Sequence, residues 1–567
     1  MPKIDVNEKL FFDLIGREYS ADELEAALPG AKAELDGWDT EGKPEERTIR
    51  IELNDTNRPD LWSTAGVARQ LRVRAGGAIP SYPFFSREGD HRPASRRVVV
   101  DPSVLSVRPF MAAFVISGKK ITDAMLRDAI QTQEKLCDNF GRKRASVSMG
   151  LYRTALIQWP VTYKAVPPKS VRFVPLQMTE SMDLEEILEK HPKGQEYGAI
   201  NKGKSLHPLL TDSKGGVLSY PPIINSADIG AVQVGDTDLL VELTGTDLQA
   251  VTLSASIVAC DFSDAGYTIE PVAIDYPEPI AFGRTVVFPY YFQPPVAVDS
   301  GRVGKTLGRS FSPQTVSEAL TRMGVRSEVH GQFVTAFPPE YRNDFLHPVD
   351  IIEDVMMGCG METFQPERPK DFTIGRLSPI EILIRKAKAL FVGMGYQEMV
   401  YNYLGSGKDF IERMCVSGDG VLRISNPMTE NFEYVRPSIL PCLLGSESVS
   451  GKAVYPHRIF EAGKVAFKDK KANYGTVTRT YLGFLSAHAE ANYNEAASIV
   501  SALLYYLNAE YAVEECEDPR FLPGRQARVL RDGKPVGTFG EVAPQVLENW
   551  GVTVPSIAGE IDLESYL

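Results

Sequence analysis

The spacing of apolar and polar residues predicts a chain that mixes helices and strands throughout. Near the start, Ser20 followed by Glu23 is a capping-box pattern that opens a helix, and Gly30 is expected just past its end. The run TIRIEL is strand-like and leads through the turn NDTNRPD into a helix that ends at Gly76. These elements predict a small α+β domain over residues 1–85.

Strand-like and helical runs alternate between residues 92 and 282. The strand-like runs are RRVVVD, FMAAFVIS, ALIQWPVTY and DLLVELTG, and the clearest helical run is ITDAMLRDAIQTQEKLCDNF. Their order is too irregular for a doubly wound sheet, so the pattern predicts an α+β domain. The Pro-rich stretch FPYYFQPPV that follows marks a joint.

Two more domains are predicted after this joint, at 299–366 and 370–567. In the first, Ser312 and Pro313 open a helix that ends at Gly324 and carries apolar residues at helical spacing. The second contains both helical and strand-like runs. At roughly 150 residues per domain, a length of 567 residues is consistent with about four domains. The fold class is therefore α+β and multidomain.

Composition narrows the class of protein. The chain is 43% hydrophobic and 24% charged, which is ordinary for a globular protein and excludes a disordered chain. Its net charge of −13 argues against indiscriminate coating of nucleic acid, because that affinity comes from neutralising phosphates. Residues 91–160 carry 12 basic and 5 acidic side chains, however. This basic island predicts either an anionic partner or a neighbouring acidic surface.

The cysteines and the N-terminus predict a cytoplasmic location. Six cysteines without a CxxC pair suit neither a disulfide framework nor a metal knuckle, and they favour a reducing compartment. The first 20 residues resemble neither a signal nor a transit peptide. No apolar run approaches the roughly 18 residues that would predict a membrane span.

One apparent nucleotide motif is rejected. The run GRVGKTLGRS contains GKT, but a phosphate-binding loop needs a glycine five residues before Gly304, where Asp299 stands. No GxGxxG fingerprint, GxSxG elbow or His/Cys cluster is present either.

Acidic residues cluster around a predicted helix that begins near Pro348. Asp350, Glu353 and Asp354 share one helical face, and Asp344 lies in the preceding turn. Such carboxylates could bind a hard divalent cation, by preference Mg²⁺. Equally, acidic residues in a first helical turn complement the helix dipole. The residues alone leave both interpretations open.

A polar set between residues 207 and 247 could line a pocket. Ser219, Asn225, Glu242, Thr244 and Thr246 provide hydroxyls, an amide and one carboxylate around predicted strands. Turn-forming residues of hairpins are at least as plausible an explanation.

A basic run, GRKRASVS, follows the predicted helix of the second domain. Arg142, Lys143 and Arg144 could contact a phosphate backbone, although three consecutive charges more often form a solvated loop.

Several long segments together resemble the beta subunits of phenylalanyl-tRNA synthetases, in the order of that family. They are NDTNRPDLWSTAGVARQLR, QEKLCDNFGRKRASVSMGLYRT, HPLLTDSKGGVLSYPPIINS with VELTGTD, FLHPVDIIEDVMMGCG, and NPMTENFEYVRPSILPCLLGSES with RIFEAGKV. The resemblance covers nearly the whole chain.

The resemblance implies one half of a heterotetrameric (αβ)₂ class II ligase that joins phenylalanine to tRNA(Phe) with ATP and Mg²⁺. The alpha subunit would hold the aminoacylation site, and the beta subunit an editing domain at 92–282 and a class II synthetase-like antiparallel-sheet domain without catalysis. Arg436 and RIFEAGKV correspond to a degenerate second class motif, whereas the region PGRQARVLRDGKPVGTFGEVAP lacks the third. ATP would then be bound by alpha, and no membrane is involved.

The resemblance also implies roles for the candidate residues. Leu210, Ser219, Glu242 and Thr244 match positions that line the editing pocket. A second, hydrolytic site is useful because an apolar pocket rejects an added hydroxyl only weakly. The hypothesis is that Glu242 accepts the tyrosine phenol proton while Ser219 and Thr244 orient the ester and a water.

For the acidic cluster, the resemblance favours Mg²⁺ at the junction with alpha, held by Asp344, Asp350, Glu353 and Asp354. The N-terminal domain of about 80 residues and the end at GEIDLESYL suggest the short archaeal and eukaryotic form, with anticodon recognition left to alpha or to unidentified surfaces. Two alternatives stay open: a purely structural beta subunit without active editing, and a free-standing nucleic-acid-binding regulator.

Overall fold

The computed structural model describes residues 3–54, 57–90 and 92–567, so Asp55 and Thr56 of the predicted turn lie outside the described residues. The chain forms two compact units, residues 1–367 and 368–567. Both combine helices and strands, which confirms a mixed α+β, multidomain protein. No helix in the described part of the chain is long and apolar enough to cross a membrane.

The first unit opens with a three-stranded antiparallel sheet of order β1-β3-β2. The strands are Lys3–Asn7 (β1), Ala33–Trp38 (β2) and Thr48–Leu53 (β3), and the helices are Glu8–Ile15 (α1), Ala21–Ala27 (α2) and Thr64–Arg74 (α3). The Ser20–Glu23 capping box is confirmed, but Gly30 does not follow the helix directly. It lies in a 3-10 turn, Leu28–Ala31, and the left-handed residue beyond it is Lys32.

A large curled sheet follows. Its strands are Arg96–Val100 (β4), Phe110–Ser117 (β5), Val147–Arg153 (β6), Val161–Val166 (β7), His207–Thr211 (β10), Val217–Tyr220 (β11), Ile224–Asn225 (β12), Leu239–Gly245 (β13), Thr268–Ile280 (β14) and Gly283–Phe288 (β15). Their order is β12-β11-β10-β7-β4-β14-β5-β13-β6, with β15 paired to β14. Strand β4 runs parallel to both neighbours, and the other pairs are antiparallel.

Four helices and a small hairpin complete this region. They are Asp123–Glu134 (α4), Leu184–Lys190 (α5), Pro192–Tyr197 (α6) and Leu248–Asp264 (α7), with Arg172–Phe173 (β8) and Met182–Asp183 (β9). The predicted helix after Thr122 is confirmed and continues as a π-helical turn to Phe140. The run ALIQWPVTY is a strand only from Val161, because residues 154–156 form a 3-10 turn and Pro160 lacks a donor N–H.

The N-terminal layer and the large sheet share one hydrophobic core that runs from Ile4 to Tyr341. Helices α3 and α7 pack together, and buried Arg69 of α3 donates to Asp261 at 2.5 Å and Asp264 at 2.6 Å. An arginine removed from water needs such carboxylate partners.

A compact piece with its own core ends the first unit. Its elements are Val296–Asp299 (β16), Ser300–Leu307 (α8), Pro313–Arg322 (α9), Arg326–His330 (β17), Phe333–Phe337 (β18) and Pro348–Cys359 (α10). The predicted helices after Ser312 and at Pro348 are confirmed. The GKT run lies inside α8, so its backbone N–H groups do not form a phosphate loop.

The second unit is built on a seven-stranded sheet of order β19-β23-β24-β28-β27-β26-β25, antiparallel except for the β19·β23 pair. Its strands are Gln397–Glu398 (β19), Leu404–Gly405 (β20), Leu422–Arg423 (β21), Tyr434–Val435 (β22), His457–Lys468 (β23), Thr476–Ala487 (β24), Ala512–Glu514 (β25), Phe521–Arg531 (β26), Lys534–Val542 (β27) and Ser556–Asp562 (β28). Strands β20 to β22 form a separate small sheet.

Helices cover both faces of the seven-stranded sheet. They are Pro379–Gly393 (α11), Leu440–Val449 (α12), Tyr493–Tyr506 (α13) and Pro544–Trp550 (α14). Phe484 and Leu485, adjacent on β24, belong to different hydrophobic clusters because alternate strand residues face opposite sides. One cluster contains α11 and α13 residues, the other α12 and α14 residues.

Arg436 is wholly buried in this unit and makes a bidentate pair with Glu461 at 2.8 and 2.9 Å. A third bond joins its Nε to the carbonyl oxygen of Lys464. The guanidinium is thus already committed to protein partners.

Candidate functional site

The four candidate pocket residues lie on three strands of the curled sheet. Leu210 is on β10, Ser219 on β11, and Glu242 and Thr244 on β13. Although β11 and β13 are far apart in the sheet order, Tyr152 of β6 hydrogen-bonds Ser219 and Glu242 together. The sheet therefore curls until its two ends face one another, and the candidate residues meet between them.

The alternation of β13 determines which side chains enter this space. A Cβ on Gly245 would lie 2.4 Å from Val251 of α7, so that residue faces the helix. Glu242 and Thr244 are on the opposite face, because successive strand residues point to opposite sides. All four candidate residues are buried.

Tyr152 contributes the central hydrogen bonds of the site. Its hydroxyl donates to Glu242 Oε2 at 2.8 Å and lies 2.9 Å from Ser219 Oγ. Gly150 stands opposite Glu242 in the β6–β13 register, and a Cβ there would lie 2.1 Å from the tyrosine hydroxyl. Sequence reasoning missed Tyr152, although the run Ser148, Gly150, Tyr152 has the period of two that marks one strand face.

Burial disfavours the ionised form of the Glu242 carboxyl group. Only 2% of the residue is exposed, and Oε1 has no hydrogen-bond partner among the described residues. Burial raises the pKa of Glu242 to about 7, even though the Tyr152 hydrogen bond, the Arg108 charge and the nearby Thr244 hydroxyl all lower it. The group can therefore change protonation near neutral pH.

Arg108 organises the Thr244 side of the site and was also missed. Buried at 1% exposure, it donates to Thr244 Oγ1 and Ser148 Oγ at 3.1 Å each, to the Thr244 carbonyl at 2.6 Å and to the Ala145 carbonyl at 3.0 Å. No spacing signal distinguishes this arginine in the sequence. Its effect is to fix the Thr244 and Ser148 hydroxyls in place.

Leu210, Asn225 and Thr246, the remaining candidate residues, do not bond to the Glu242 carboxylate. Leu210 pairs with Ser219 across the β10–β11 ladder and supplies apolar surface. Asn225 donates to the Leu151 carbonyl at 3.2 Å, and exposed Thr246 donates to the Ala145 carbonyl at 3.2 Å. These two therefore support strand ends.

The basic run forms an unusual loop beside this site. Arg142, Lys143 and Arg144 all have positive φ, at 51°, 52° and 65°. Left-handed backbone is costly for side chains other than glycine. Arg144 is held by the carbonyls of Pro222 and Ile223 at 3.1 Å each, whereas Arg142 and Lys143 are exposed.

The acidic cluster does not converge on one point. Asp344 and Asp354 both accept from buried Arg342, at 2.6 and 2.5 Å, and Glu353 pairs with Lys32 at 2.6 Å. Asp350 accepts from backbone N–H groups at the helix start. Burial opposes ionisation of Asp344, but Arg342 outweighs it and lowers the pKa to about 2.

Arg342 and Lys32 are the positive groups that pair with these carboxylates. Across residues 3–54, 57–90 and 92–567, no group of three or more His, Cys, Asp or Glu side chains is arranged to hold a metal ion. In this arrangement the carboxylates bind Arg342, Lys32 and backbone N–H groups.

Glu242→Gln should stabilise the protein at pH 8 and change its stability little at pH 5. In the unfolded chain the carboxyl loses its proton near pH 4.5, but in the folded protein near 7, so ionisation disfavours folding as pH rises through that window. We expect the free energy of unfolding to rise by about 3 kcal/mol at pH 8, measured with urea. An equal gain at both pH values would contradict the raised pKa.

Comparisons with known proteins agree on one family. Residues 296–361 match a model described as the tRNA synthetase B5 domain, and residues 366–563 match one described as the phenylalanyl tRNA synthetase beta chain CLM domain. In solved structures, the chain is similar to an N-terminal fragment of the phenylalanyl-tRNA synthetase beta subunit from Pyrococcus horikoshii. The two are 33% identical with a TM-score of 0.59, and the match covers 63% of this chain and all of the fragment.

Two relatives that match along their whole length are more similar to this chain in sequence than the Pyrococcus fragment is. The phenylalanine–tRNA ligase beta subunit of Treponema pallidum is 46% identical, with all of both chains covered, and that of Borrelia garinii is 47% identical over 99% of each. Both organisms are spirochaetal bacteria, so the comparison does not confirm the archaeal or eukaryotic character expected from the sequence. Similarity of this extent over whole chains shows that the chain belongs to the family of phenylalanine–tRNA ligase beta subunits.

Proposed function

We propose that this chain is the beta subunit of a phenylalanine–tRNA ligase and that its curled sheet hydrolyses tyrosine wrongly attached to tRNA(Phe). The observation that carries the proposal is the buried Glu242 carboxylate, whose Oε1 has no partner among the described residues. Phenylalanine and tyrosine differ by one hydroxyl, and a buried acceptor distinguishes them by hydrogen bonding.

In this reaction the chain's own residues have separate tasks. Glu242 accepts a hydrogen bond from the phenol, and Leu210 offers apolar surface to the ring. Ser219 and Thr244 orient the ester and the attacking water, with Thr244 fixed at 3.1 Å by Arg108.

Aminoacylation itself belongs to the alpha subunit in this proposal. The second unit, which we assign as a class II synthetase-like domain at 370–567 without catalysis, has its Arg436 guanidinium occupied by Glu461. That guanidinium is not available to a nucleotide phosphate. ATP is therefore a substrate of the complex, bound by alpha.

The second unit also carries surface suited to a partner. Phe372, Ile374 and Val400 are 88%, 81% and 83% exposed. Large apolar side chains exposed in this number favour a protein interface. We assign this surface to contact with alpha in an α₂β₂ tetramer.

We assign an N-terminal domain to residues 1–85, an editing domain to residues 92–282 and a small domain to residues 299–366, as the sequence predicted. The likeness to the Pyrococcus fragment supports a short form of the kind found in archaea and eukaryotes. Six unpaired cysteines support a cytoplasmic location.

Glu242→Ala should slow hydrolysis of Tyr-tRNA(Phe) by the complex with alpha by about tenfold to a hundredfold, because a hydrogen bond to a charged group is lost. Phenylalanine charging should stay at the wild-type rate. Deacylation of preformed Tyr-tRNA(Phe) measures the first and aminoacylation the second.

Glu180→Ala, which removes an exposed carboxylate from the same domain, is the control and should keep the wild-type deacylation rate. Wild-type protein without deacylase activity would leave the alternative, a structural beta subunit.

Arg142→Ala/Lys143→Ala should weaken tRNA binding, because the left-handed loop presents both cations to solvent. Each lost phosphate contact should reduce the slope of log K against log salt by about 0.7 to 0.9. Filter binding at several salt concentrations measures the slope. Lys470→Ala/Lys471→Ala removes two adjacent exposed lysines from the second unit and should leave it unchanged; equal losses would refute the assignment.

Binding of an Mg²⁺ ion shared with alpha stays a prediction. Without alpha, we expect Mg²⁺ not to change the thermal stability of this chain. Its carboxylates are paired with Arg342 and Lys32, so melting in Mg²⁺ and in chelator should coincide. Arg342→Ala leaves two buried carboxylates unpaired and should cost about 3–5 kcal/mol, part of which Mg²⁺ restores. A rise in wild-type Tm with Mg²⁺ would show that the ion displaces these pairs.

A further inference from the structure

Tyr152 lies between the two polar groups that the proposed chemistry needs. Its hydroxyl oxygen is 2.8 Å from Glu242 Oε2 and 2.9 Å from Ser219 Oγ, and all three side chains are buried. Glu242 is on β13 and Ser219 on β11, which are not neighbours in the sheet. The tyrosine therefore joins the carboxylate to the serine hydroxyl across the space between the two sheet ends.

The number of hydrogens determines the direction of both bonds. A phenol has one hydrogen, so it donates fully to only one of its two neighbours. When Glu242 is ionised, Tyr152 donates to it and the Ser219 hydroxyl donates to Tyr152. When Glu242 is protonated, the carboxyl donates to Tyr152, which then donates to Ser219. The protonation state of Glu242 thus sets the orientation of the Ser219 hydroxyl.

The same contact leaves Glu242 Oε1 as a buried acceptor without a partner among the described residues. Such groups are uncommon in folded proteins and call for an explanation. Because Tyr152 holds Oε2, an entering donor has Oε1 available to it. The phenol of a tyrosyl group is such a donor, and the ring of a phenylalanyl group is not.

The strand that carries Tyr152 is adapted to this placement. Gly150 stands opposite Glu242, and any Cβ there would lie 2.1 Å from the tyrosine hydroxyl oxygen. The missing side chain lets the phenol pass over the strand to the carboxylate.

We propose that Tyr152 is a positioning residue for editing: it holds one oxygen of Glu242, leaves the other for the hydroxyl that distinguishes tyrosine from phenylalanine, and orients Ser219. This inference rests on the proposed function of the same site. Tyr152 acts through Glu242 and Ser219 rather than on the reacting atoms.

Other groups that face the carboxylate have different partners. The Thr244 hydroxyl is close enough to lower the Glu242 pKa, but its hydrogen bonds are to Arg108 and Ser148. Arg108, before β5, is charged, but its donors go to Thr244, Ser148 and the Ala145 carbonyl. Tyr163 of β7 donates to the Arg108 carbonyl at 2.9 Å. Tyr152 donates directly to the carboxylate. This bond lowers the pKa of Glu242, but burial has the larger effect, and the resulting pKa is about 7.

Tyr152→Phe, in the complex with alpha, tests the inference. Loss of the bond should raise the pKa of Glu242, so the pH midpoint of kcat/KM for deacylation of Tyr-tRNA(Phe) should move upward by about one unit. The rate at pH 7 should fall about fivefold and largely recover by about pH 8.5, after subtraction of spontaneous hydrolysis. A tyrosine that served only packing would lower Tm without moving the midpoint.

Tyr276→Phe is the matched control. It removes another buried tyrosine hydroxyl of the same sheet, one that bonds the backbone of Met111, and should keep the wild-type midpoint. If wild-type protein hydrolyses Tyr-tRNA(Phe) and Tyr152→Phe keeps its midpoint, the inference fails and the proposed function stands. If wild-type protein does not hydrolyse it, the proposed function fails and the inference with it.

A second measurement applies if Tyr152→Phe does not assemble. A 3-fluorotyrosine at position 152 keeps the shape of the ring and makes the phenol a stronger donor. The ionised carboxylate is then favoured, so the pH midpoint of deacylation should move downward. A midpoint that is unchanged or raised would overturn the role of Tyr152.

Discussion

The burial of one carboxylate constrains the first unit more than any other interaction. Glu242 lies on a strand flanked by β5 and β6, with its opposite face against α7, and an ionised group in such a place is unfavourable unless donors reach it. The donor Tyr152 reaches it from the neighbouring strand β6 because Gly150 has no side chain, and the curl of the sheet brings Ser219 to the same hydroxyl. The curl of the sheet, Gly150 and Tyr152 together therefore provide the hydrogen bonds around this buried carboxylate.

Buried arginines repeat the same principle elsewhere. Arg69 joins the N-terminal helices to α7, Arg342 gathers two carboxylates, and Arg436 holds Glu461 inside the second unit. Each guanidinium offers a fork of donors that satisfies carboxylates removed from water.

The partners of the acidic residues around α10 could not be identified from local sequence. The helix that begins at Pro348 was correctly predicted from its local signals, and the carboxylates that it carries close together require positive neighbours. A cation from outside and a protein side chain both meet that requirement. The contact of Lys32 with Glu353 joins residues 321 positions apart, which no sequence period reveals.

The sequence by itself determined the helices and strands with strong local signals, such as the capping box at Ser20, the helix after Ser312 and the strand DLLVELTG. These depend on nearest neighbours, caps and alternation, which act within a few residues. Long, specific motifs likewise determined the family. Tertiary structure alone decided that Tyr152 and Arg108 complete the site, because Glu242, Thr244 and Ser219 lie on strands distant from them in sequence. The contact of Tyr152 with Ser219 forms only because the two ends of the sheet meet.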